Sequence, residues 1–451
     1  MVGTATAYEL SLDGHEVHVF ERRSTVAEEA SFASGALVAP GWTAPWCQPE
    51  RRLRMPWSSS TDGLKLARLP RFGEWRWLWR WLQAGHGSRQ VSHHMQSHPL
   101  MRYSQERLLA LTEERGLDHD RSQGMLVLWR TAREADEARP ALQQMKELGI
   151  AHREMSPEQA RALEPALHSE TPLHGAVELT GDAAANCREF ALAIRAQAQQ
   201  LGCRFAFDTQ VQSIQTRGEA KGVTLQLGPS KQHSDTPAAP PTDTQTFDAV
   251  VVCAGVASAG LLQPLGLRVP LQSVHSHSLS AAVREPLDAP ISAVLDARHG
   301  VSIARLGQRI RVAGGREFGT VPGQHSKATL RQLYDVLTDW FPGAVRLGGP
   351  RGSIQEWHGA QATLPDGPPL LGATRNSGVW VNLGHGPAGW SMACGSARVL
   401  ADQLAGSSVF TTLAPAPRAL AGTVSGALPC STQATSGASM SNWSVAGPPE
   451  Q

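Results

Sequence analysis

The chain opens with a helical spacing of apolar residues followed at once by a strand-like spacing. Residues 4–12 have the helical pattern, and Gly14 follows where a left-handed cap is expected to end the helix. Residues 15–21 then form a β-rich run that ends in an acid, Glu21. The pattern predicts a helix, a glycine turn and a strand.

The same order returns in the middle of the chain. Residues 186–201 carry apolar side chains on one helical face, and strand-like runs follow at 203–207 and 211–214. The short β-branched run at 247–255 is typical of a buried parallel strand. Strands separated by helices predict an α/β fold with a doubly wound sheet.

The C-terminal half adds a second kind of pattern. Residues 301–313 alternate as antiparallel strands do, and 327–340 have the spacing of an amphipathic helix. A strand is predicted at 379–383 and a last helix at 391–404. The doubly wound sheet is therefore expected to share the chain with an antiparallel sheet.

Two segments lack any apolar period. Residues 228–246 are rich in Pro, Ser, Thr and Asp, and residues 411–451 are rich in Ala, Ser, Gly, Pro and Thr. Such compositions bury too little apolar surface to fold by themselves. We expect a disordered insertion at 228–246 and a disordered tail at 411–451.

Composition narrows the class of protein. The 451 residues are 41% hydrophobic and 18% charged, enough for a large core, and 41 basic against 40 acidic residues disfavour a nucleic-acid binder. No apolar run is long enough to span a membrane, and the start lacks a secretory signal. Six cysteines without a CxxC pair argue against structural zinc or a disulfide framework. A cytoplasmic protein is expected.

The opening unit matches the second half of a dinucleotide-binding βαβ motif. Gly3 occupies the place of the third motif glycine, which allows close helix–strand packing, and Glu21 follows 18 residues later, where a ribose-binding acid belongs. The first strand and the first two glycines of the motif are absent. An ordinary helix and strand with a surface glutamate is the alternative on these residues alone.

Three further segments have compositions that would let backbone groups bind a cofactor. Ser31, Ser34 and Gly35 belong to a small-residue loop through which backbone N–H groups can approach a pyrophosphate. The run at 248–255 ends a strand in small residues, including Gly255. The third segment consists of Leu-Pro-Asp-Gly-Pro-Pro-Leu-Leu-Gly at 364–372 together with 382–393. In its second part, three glycines precede a helix whose N-terminal N–H groups would face a bound anionic ring; they are Gly384, Gly386 and Gly389.

Taken together, these segments resemble the FAD-dependent D-amino acid oxidase-like family, and within it the D-amino acid dehydrogenase branch. The likeness extends from residue 1 to about residue 406. It also includes Pro-Gly-Trp-Thr-Ala-Pro-Trp at 40–46, the Trp-Arg-Trp-Leu-Trp run at 75–79 and Thr-Gly-Asp at 180–182. The resemblance implies an α/β fold in which a Rossmann-like FAD-binding domain is interleaved with an antiparallel-sheet substrate domain.

The resemblance also implies domain bounds and a cofactor site. The FAD-binding domain would take 1–45, 170–260 and 355–406, and the substrate domain 46–169 and 261–354. Val211 would lie against the adenine and Trp390 beside the flavin-facing helix. The full set of residues expected to contact FAD is Gly3, Glu21, Arg22, Ser31, Ser34, Gly35, Val211, Gly255, Gly384, Gly386, Gly389 and Trp390.

The activity implied is bacterial amino acid catabolism: oxidation of the Cα–N bond of a small amine or amino acid, giving a keto acid and ammonia. The electron acceptor would be a membrane quinone, reached from the inner face of the cytoplasmic membrane. One alternative is an oxidase of secondary amines of the glycine or sarcosine type. Another is a truncated, inactive flavoprotein homologue, and we expect a chain that starts at Met1 to bind FAD poorly.

The chain departs from the family in its substrate pocket. Gln361 stands where the family has an arginine expected to pair with the substrate carboxylate, and Arg305 and Arg316 are nearby cations that would compensate. His277 stands at a family tyrosine position that reaches the substrate. His275 shares its strand face, but no third ligand suggests itself, so no metal is expected.

Two further features have alternative interpretations. His385, between two glycines, is either a proton carrier beside the flavin or a loop residue held by a hydrogen bond. The tryptophan-rich segment at 75–81 is either part of a core or an interfacial patch on a membrane surface.

Overall fold

A computed structural model describes residues 1–42, 53–55, 63–85, 87–216, 222–230, 243–320, 326–348 and 353–406. The predicted tail at 411–451 and residues 231–242 of the predicted insertion lie outside these ranges. The α-helices within the described ranges are α1 (Val2–Leu12), α2 (Phe72–Ala84), α3 (Gly87–Arg115), α4 (Ala132–Glu147), α5 (Pro157–Leu163), α6 (Cys187–Gln200), α7 (Ser258–Leu262), α8 (Lys327–Trp340) and α9 (Gly389–Leu404).

The β-strands follow in chain order. They are β1 (His18–Phe20), β2 (Leu37–Val38), β3 (Leu53–Arg54), β4 (Leu64–Leu66), β5 (Ser122–Trp129), β6 (Arg153–Met155), β7 (Gly175–Ala184), β8 (Arg204–Ala206), β9 (Thr209–Thr216), β10 (Val223–Pro229), β11 (Asp243–Phe247), β12 (Val250–Val252), β13 (Gln272–Ala282), β14 (Ala293–Asp296), β15 (Val301–Leu306), β16 (Arg309–Phe318), β17 (Ile354–Thr363), β18 (Leu370–Ala373) and β19 (Val379–Leu383).

Among the described residues, the parallel pairing expected of a doubly wound sheet appears in two separate small sheets, β1-β8 and β12-β19-β18. β1 pairs with β8 in parallel, and β12 pairs with β19 in parallel, while β18 closes the second set as an antiparallel neighbour. α6 leads into β8 and α9 follows β19. α1 packs between α6 and α9, where Tyr8, Phe190 and Ile194 are fully or almost fully buried. The helix–strand alternation predicted from the sequence is confirmed.

The largest sheet is mixed. Its strand order is β17-β13-β16-β15-β14-β5-β7-β2, with β3, β4 and β6 attached at the sides. Most pairs are antiparallel, as the alternation at 301–313 predicted, but β14–β5, β16–β4 and β3–β4 are parallel. In β14–β5 and β16–β4 the partners are distant in the chain, so no hairpin dictates their direction.

Several element predictions need correction at their edges. Residues 228–229 and 243–246, expected to be disordered, belong to β10 and β11, which pair as an antiparallel hairpin. Their alternating Thr and Gln side chains suit a half-exposed strand despite the polar composition. The helix predicted from residue 98 begins at Gly87. The predicted bounds 327–340 and 379–383 agree with α8 and β19.

The predicted domain bounds do not coincide with sheet bounds. β2 and β7 come from the ranges assigned to the FAD-binding domain, yet both pair within the largest sheet. β17 spans residue 355, the predicted start of the last FAD-binding segment. The division into an FAD-binding and a substrate domain therefore stays a prediction, and it does not follow the boundaries of the sheets.

Candidate active site

One large cavity runs between the parallel strands, α1, α9 and the largest sheet. Its volume is about 2450 Å³, well above the roughly 300–1,000 Å³ of an ordinary small-molecule pocket. The strands β1 and β12 both border it, as do the first turns of α1 and α9. A dinucleotide and a small substrate can be accommodated together in a space of this size.

Of the fifteen residues predicted to contact FAD, to reach the substrate or to carry a proton, fourteen line the cavity. The exception is His277. Those that line the cavity are Gly3, Glu21, Arg22, Ser31, Ser34, Gly35, Val211, Gly255, Gln361, Gly384, His385, Gly386, Gly389 and Trp390.

α1 and α9, two of the helices that begin at the cavity, have bare N-termini. α1 and α9 have no side-chain cap and no acidic residue in the first turn. By contrast, α5, α6 and α8 are capped by Ser156, Asn186 and Ser326. The first N–H groups of a helix lack intrahelical partners and carry positive dipole charge. The N–H of Gly389 already donates to the carbonyl of Gly386. The remaining first-turn donors of α1 and α9 can serve an anionic or electron-rich group inside the cavity.

The turn before α9 requires glycine. Gly384 has φ +83° and Gly386 has φ +55°, both left-handed, and a Cβ at Gly384 would lie 2.5 Å from Leu364 Cδ1. At the start of α1, a Cβ on Gly3 would lie 3.2 Å from the Cβ of Cys253, so the helix packs close to the end of β12. Backbone, rather than side chains, therefore forms this part of the wall.

Charged residues cluster where β1 ends. Glu21 accepts a hydrogen bond from the backbone N–H of Arg23 at 2.9 Å, and burial raises its pKa. Arg22 and Arg23 donate from Nε to Glu29 at 2.8 and 3.0 Å. This end of the cavity thus offers one carboxylate acceptor held in place, with the neighbouring arginines already paired.

The loop at 31–42 is held to its surroundings by side chains of other elements. Ser278 donates to the carbonyl of Ala33 at 2.7 Å, and Ser391 on α9 accepts from the N–H of Ala39 at 3.1 Å. Asp182 on β7 accepts from the N–H groups of Gly41 and Trp42 at 2.8 and 2.9 Å. Burial raises the pKa of Asp182 to about 7. These contacts fix the loop that carries Ser31, Ser34 and Gly35.

Three neighbouring strands of the largest sheet form the floor of the cavity. Gln361 on β17, Ser276 on β13 and Arg316 on β16 all line it. Gln361 donates from Nε2 to Ser276 Oγ at 3.1 Å, and its Oε1 is buried without a hydrogen-bond partner. The other cation considered from the sequence, Arg305, is not among the lining residues and donates to the carbonyl of Gly307.

His277 lies on the opposite face of β13. Successive side chains of a strand point to opposite faces, so Ser276 faces the cavity while its neighbour His277 does not. His277 is fully buried, accepts from the N–H of Ser326 at 3.2 Å and stacks on His358 with 5.9 Å between ring centroids. The His277 side chain therefore does not line the cavity.

His385 lines the cavity but is tied into α9. Its Nε2 lies 3.1 Å from Ser396 Oγ. Burial lowers the pKa of His385 to about 3, so its imidazole is neutral at physiological pH. The geometry favours the second of the two interpretations, a loop residue oriented by a hydrogen bond.

Sequence reasoning missed Ser276, Ser391 and the clamp made by Asp182. Ser276 could have been found, because it alternates with the two histidines that were singled out. Nothing local marks Ser391 or Asp182 as loop anchors, since their partners are 352 and 141 residues away.

Among the described residues, no group of three His, Cys, Asp or Glu side chains is arranged to hold a metal ion. Within the described ranges, no helix combines the length and the apolar composition that a membrane span requires.

Parallel strand pairs beside helices, with a dinucleotide-sized cavity at helix N-termini, are typical of nucleotide-cofactor enzymes of the α/β class. The chain matches the FAD dependent oxidoreductase family over residues 1–403 and belongs to it. It is 33% identical over 412 residues to the D-amino acid dehydrogenase of Bradyrhizobium diazoefficiens, covering 90% of this chain and 93% of that protein. It is 31% identical to D-amino acid dehydrogenase 1 of Mesorhizobium japonicum, covering 89% and 93%.

The fold has a counterpart among solved structures. Glycine oxidase from Geobacillus kaustophilus superposes with a TM-score of 0.68 at 21% identity, covering 92% of this chain and 95% of that one. The family membership makes this protein an FAD-dependent oxidoreductase, and the residues present fit the cofactor. The bare starts of α1 and α9 suit a pyrophosphate and a flavin edge, and the left-handed glycines leave room for a planar ring.

Proposed function

We propose that this enzyme oxidises the Cα–N bond of a D-amino acid. Two of its relatives carry the name D-amino acid dehydrogenase. The observation that carries the proposal is the agreement of two such relatives at 31–33% identity over about nine-tenths of the chain. The cavity supports it, because a floor of polar side chains lies beneath a wall suited to FAD.

In this proposal the backbone around three glycines holds the reactive end of the cofactor. The N-terminus of α9, with Gly384, Gly386 and Gly389, faces the flavin, and Trp390 supports the helix by donating to the carbonyl of Ala185 at 3.2 Å. His385 acts as a positioning residue for this turn.

The other end of the cofactor is assigned to the first α/β unit. The start of α1 at Gly3 receives the pyrophosphate, and Glu21 with Arg22 binds at the ribose end. Val211 and Gly255 lie against the adenine and phosphate side, while Ser31, Ser34 and Gly35 close the loop over the middle.

The chemistry follows from what each part supplies. FAD, held by the backbone at Gly384, Gly386 and Gly389, would supply the two-electron acceptor for the oxidation of the substrate at Cα. The chain's own residues bind and orient the substrate on the floor at Gln361, and the buried walls exclude water from the reacting atoms. The imine product is hydrolysed by water to a keto acid and ammonia.

The test is turnover by purified protein of known flavin content. A panel of D-amino acids, their L-enantiomers, glycine and sarcosine is assayed with a quinone-type dye and, separately, with oxygen. Turnover of D-amino acids with the dye, well above that of the L-enantiomers, is expected. Bound flavin that no amine reduces would favour an inactive homologue instead.

An oxidase of glycine-type amines is the second candidate, favoured by the fold-level likeness to glycine oxidase. Turnover of glycine or sarcosine with oxygen, exceeding that of D-amino acids with the dye, would select it.

We also propose that electrons leave to a membrane quinone and that α2 touches the membrane surface. The four tryptophans of the helix divide between its two faces: Trp77 and Trp81 are buried, whereas Trp75 and Trp79 are 46% and 61% exposed. Phe72 is 97% exposed, and Arg71 and Arg76 flank it on the exposed face. Aromatic residues beside arginines favour the headgroup region of an anionic bilayer.

Vesicle co-sedimentation tests this surface. Full-length protein should bind phosphatidylglycerol vesicles, and the double variant W75S/W79S should bind at least about tenfold more weakly. The matched control is Leu287→Ser, which removes another exposed apolar side chain, 85% exposed, elsewhere. Equal binding by the double variant and the control would contradict the assignment.

A further inference from the structure

Two short parallel sheets border the cavity, and each turns an open edge toward it. β1 pairs with β8, and β12 pairs with β19; among the described residues, neither β1 nor β12 has a second neighbouring strand. Residues of both strands line the cavity. An open edge presents a row of N–H and C=O groups, and inside a protein such groups require a partner.

The direction of the hydrogen bonds shows which backbone groups belong to the open edges. The N–H of Val250 donates at 2.8 Å to the residue before β19, and the N–H of Glu21 donates at 2.9 Å to the last residue of β8. Successive residues of a strand direct their backbone groups to opposite edges. The backbone groups of Val251 and Phe20, one residue away in each case, therefore point to the open edges.

Helix α1 covers the space between the two edges. Near its start, a Cβ on Gly3 would lie 3.2 Å from the Cβ of Cys253, which directly follows β12. Ala7 on the same helix belongs to one apolar cluster with Val19 of β1, and Leu10 lines the cavity. An α-helix is about 10 Å across, which equals two strand spacings of about 4.8 Å. The two edges beneath α1 therefore leave room for one further strand.

The opposite face of this space is apolar as well. His18 and Phe20 alternate with Val19, so they point away from α1. Both contact Phe247, with ring centroids 5.5 and 5.9 Å apart. We call the space bounded by β1, β12, α1 and Phe247 the strand slot. A parallel strand covered on both faces is a continuous run of apolar, β-branched residues.

The chain direction indicates how such a strand would be connected. α1 starts beside Cys253, at the carboxyl end of β12, and its other end leads through Gly14 to the start of β1. A strand parallel to β12 would end at that same place, where it can continue directly into α1. The strand, α1 and β1 would then form a βαβ unit, the usual connection between parallel neighbours.

We infer that the strand slot binds an apolar β-strand of about five residues, parallel to β1 and β12 and joined directly to the start of α1. The strand unites the two small sheets in the order β8, β1, added strand, β12, β19, β18. Its turn into α1 adds backbone N–H groups to those proposed above for the pyrophosphate. The inference goes beyond the proposed function, because it concerns the fold around the cavity and not the substrate.

The test compares the full chain with two N-terminal fusions of equal length. The strand fusion places five β-branched residues and Gly-Ala-Gly before Met1, which completes the spacing G-x-G-x-x-G with Gly3. The proline fusion replaces the second and fourth of the five by Pro, which cannot donate to a strand ladder. Hydrogen exchange at residues 18–20 and 250–252 should be at least about tenfold slower in the strand fusion than in the proline fusion. Its thermal midpoint should be at least about 5 °C higher.

Equal exchange in the two fusions would overturn the inference. If the unfused chain is recovered only as aggregate, the two fusions carry the test by themselves. A folded strand fusion beside an aggregated proline fusion supports the strand slot, whereas two fusions that aggregate alike would contradict it.

Val251→Asp tests whether the open edge of β12 becomes buried. Val251 is half-buried, so the charge should lower the midpoint only slightly in the unfused chain. In the strand fusion the carboxylate would be buried without a partner, and most of the gain in midpoint should be lost. The matched control is Thr244→Asp at an exposed position of β11, which should leave the gain unchanged. A gain that survives Val251→Asp would show that the fused strand lies outside the slot.

A free peptide with the sequence of the fused strand tests the source of the strand. A short tether provides an effective concentration of about 1 mM, so the free peptide at micromolar concentration should protect β1 and β12 far less than the fusion does. Full protection at micromolar concentration would overturn the assignment to a joined segment. These measurements involve neither substrate nor turnover, so a failure of the proposed function would leave the strand slot standing.

Discussion

The two ends of the cavity present different kinds of groups: backbone groups at one end and polar side chains at the other. At the end proposed to hold FAD, which we call the cofactor end, helix N-termini and left-handed glycines present backbone groups. At the end proposed to hold the substrate, which we call the substrate end, three strands present the side chains of Gln361, Ser276 and Arg316. Backbone sites depend on local conformation, whereas side-chain sites depend on strand register, so the two ends should respond differently to mutation.

The largest effect is expected from Gly384→Ala. The left-handed φ and the 2.5 Å approach to buried Leu364 together should lower the free energy of unfolding by about 2–4 kcal/mol and reduce the flavin content well below that of the wild type. Thermal unfolding and flavin absorbance measure both. The control Gly73→Ala, in exposed α2 with open space at its Cβ, should be neutral or slightly stabilising. If Gly384→Ala held as much flavin as the wild type, the cofactor end would not depend on the backbone conformation of this turn.

The second prediction concerns the clamp that holds the cofactor loop. The pKa of Asp182 is raised by burial to about 7, above the value of about 4 in the unfolded chain. Between these values the folded protein keeps a proton that the unfolded chain releases, so stability falls as the pH rises. Relative to Asp182→Asn, the wild type should lose about 1–3 kcal/mol of unfolding free energy from pH 4 to pH 7.

Denaturant titrations at a series of pH values measure this difference. Asp243→Asn, at an exposed position on β11, is the reference for an ordinary carboxylate and should leave the pH profile unchanged. A flat difference between the wild type and Asp182→Asn would show that the carboxylate is ionised when the loop is clamped.

A third prediction separates helix stability from cofactor binding at the start of α9. Ala388→Asp would cap a helix that now has no side-chain cap, which should raise stability by about 0.5–1 kcal/mol. The same carboxylate would occupy the donors offered to the flavin, so flavin affinity should fall about tenfold.

Flavin titration into apoprotein and thermal unfolding of the apoprotein test the two signs separately. Ser156→Ala on α5, outside the cavity lining, should lower stability by about 1 kcal/mol without changing flavin affinity. If Ala388→Asp strengthened flavin binding, the N-terminus of α9 would not face the cofactor.

The smallest expected effect is a change in KM at the substrate end of the cavity. Ser276→Ala should raise KM for the substrate a few-fold, because one hydrogen bond on the floor is lost. His277→Gln, one residue further along β13 on the opposite face, should lower stability but leave KM within about twofold. A larger change in KM for His277→Gln than for Ser276→Ala would reverse the assignment of faces.

The cofactor end was the more predictable of the two. Glycines, small residues and a helix start within a few positions, as at 384–389, indicate a backbone site because conformation follows from adjacent residues. The helix–strand order around Gly3 and Glu21 was readable for the same reason, and both residues line the cavity.

The substrate end was less predictable. His277 and Arg305 were as plausible from the sequence as Ser276 and Arg316, because a shift of one residue in register exchanges the two faces of a strand. The bulge opposite Ser276 depends on the pairing of β13 with β16, whose partners lie about 40 residues apart.

By itself, the sequence determined the alternation of helices and strands, the family and the backbone elements of a dinucleotide site, since these depend on neighbours along the chain. Only the tertiary structure decided which side of β13 faces the cavity, which arginine stands on its floor and that Asp182 and Ser391 secure the loop at 31–42. Those choices depend on contacts between distant segments, which strand pairing and burial create and local composition does not reveal.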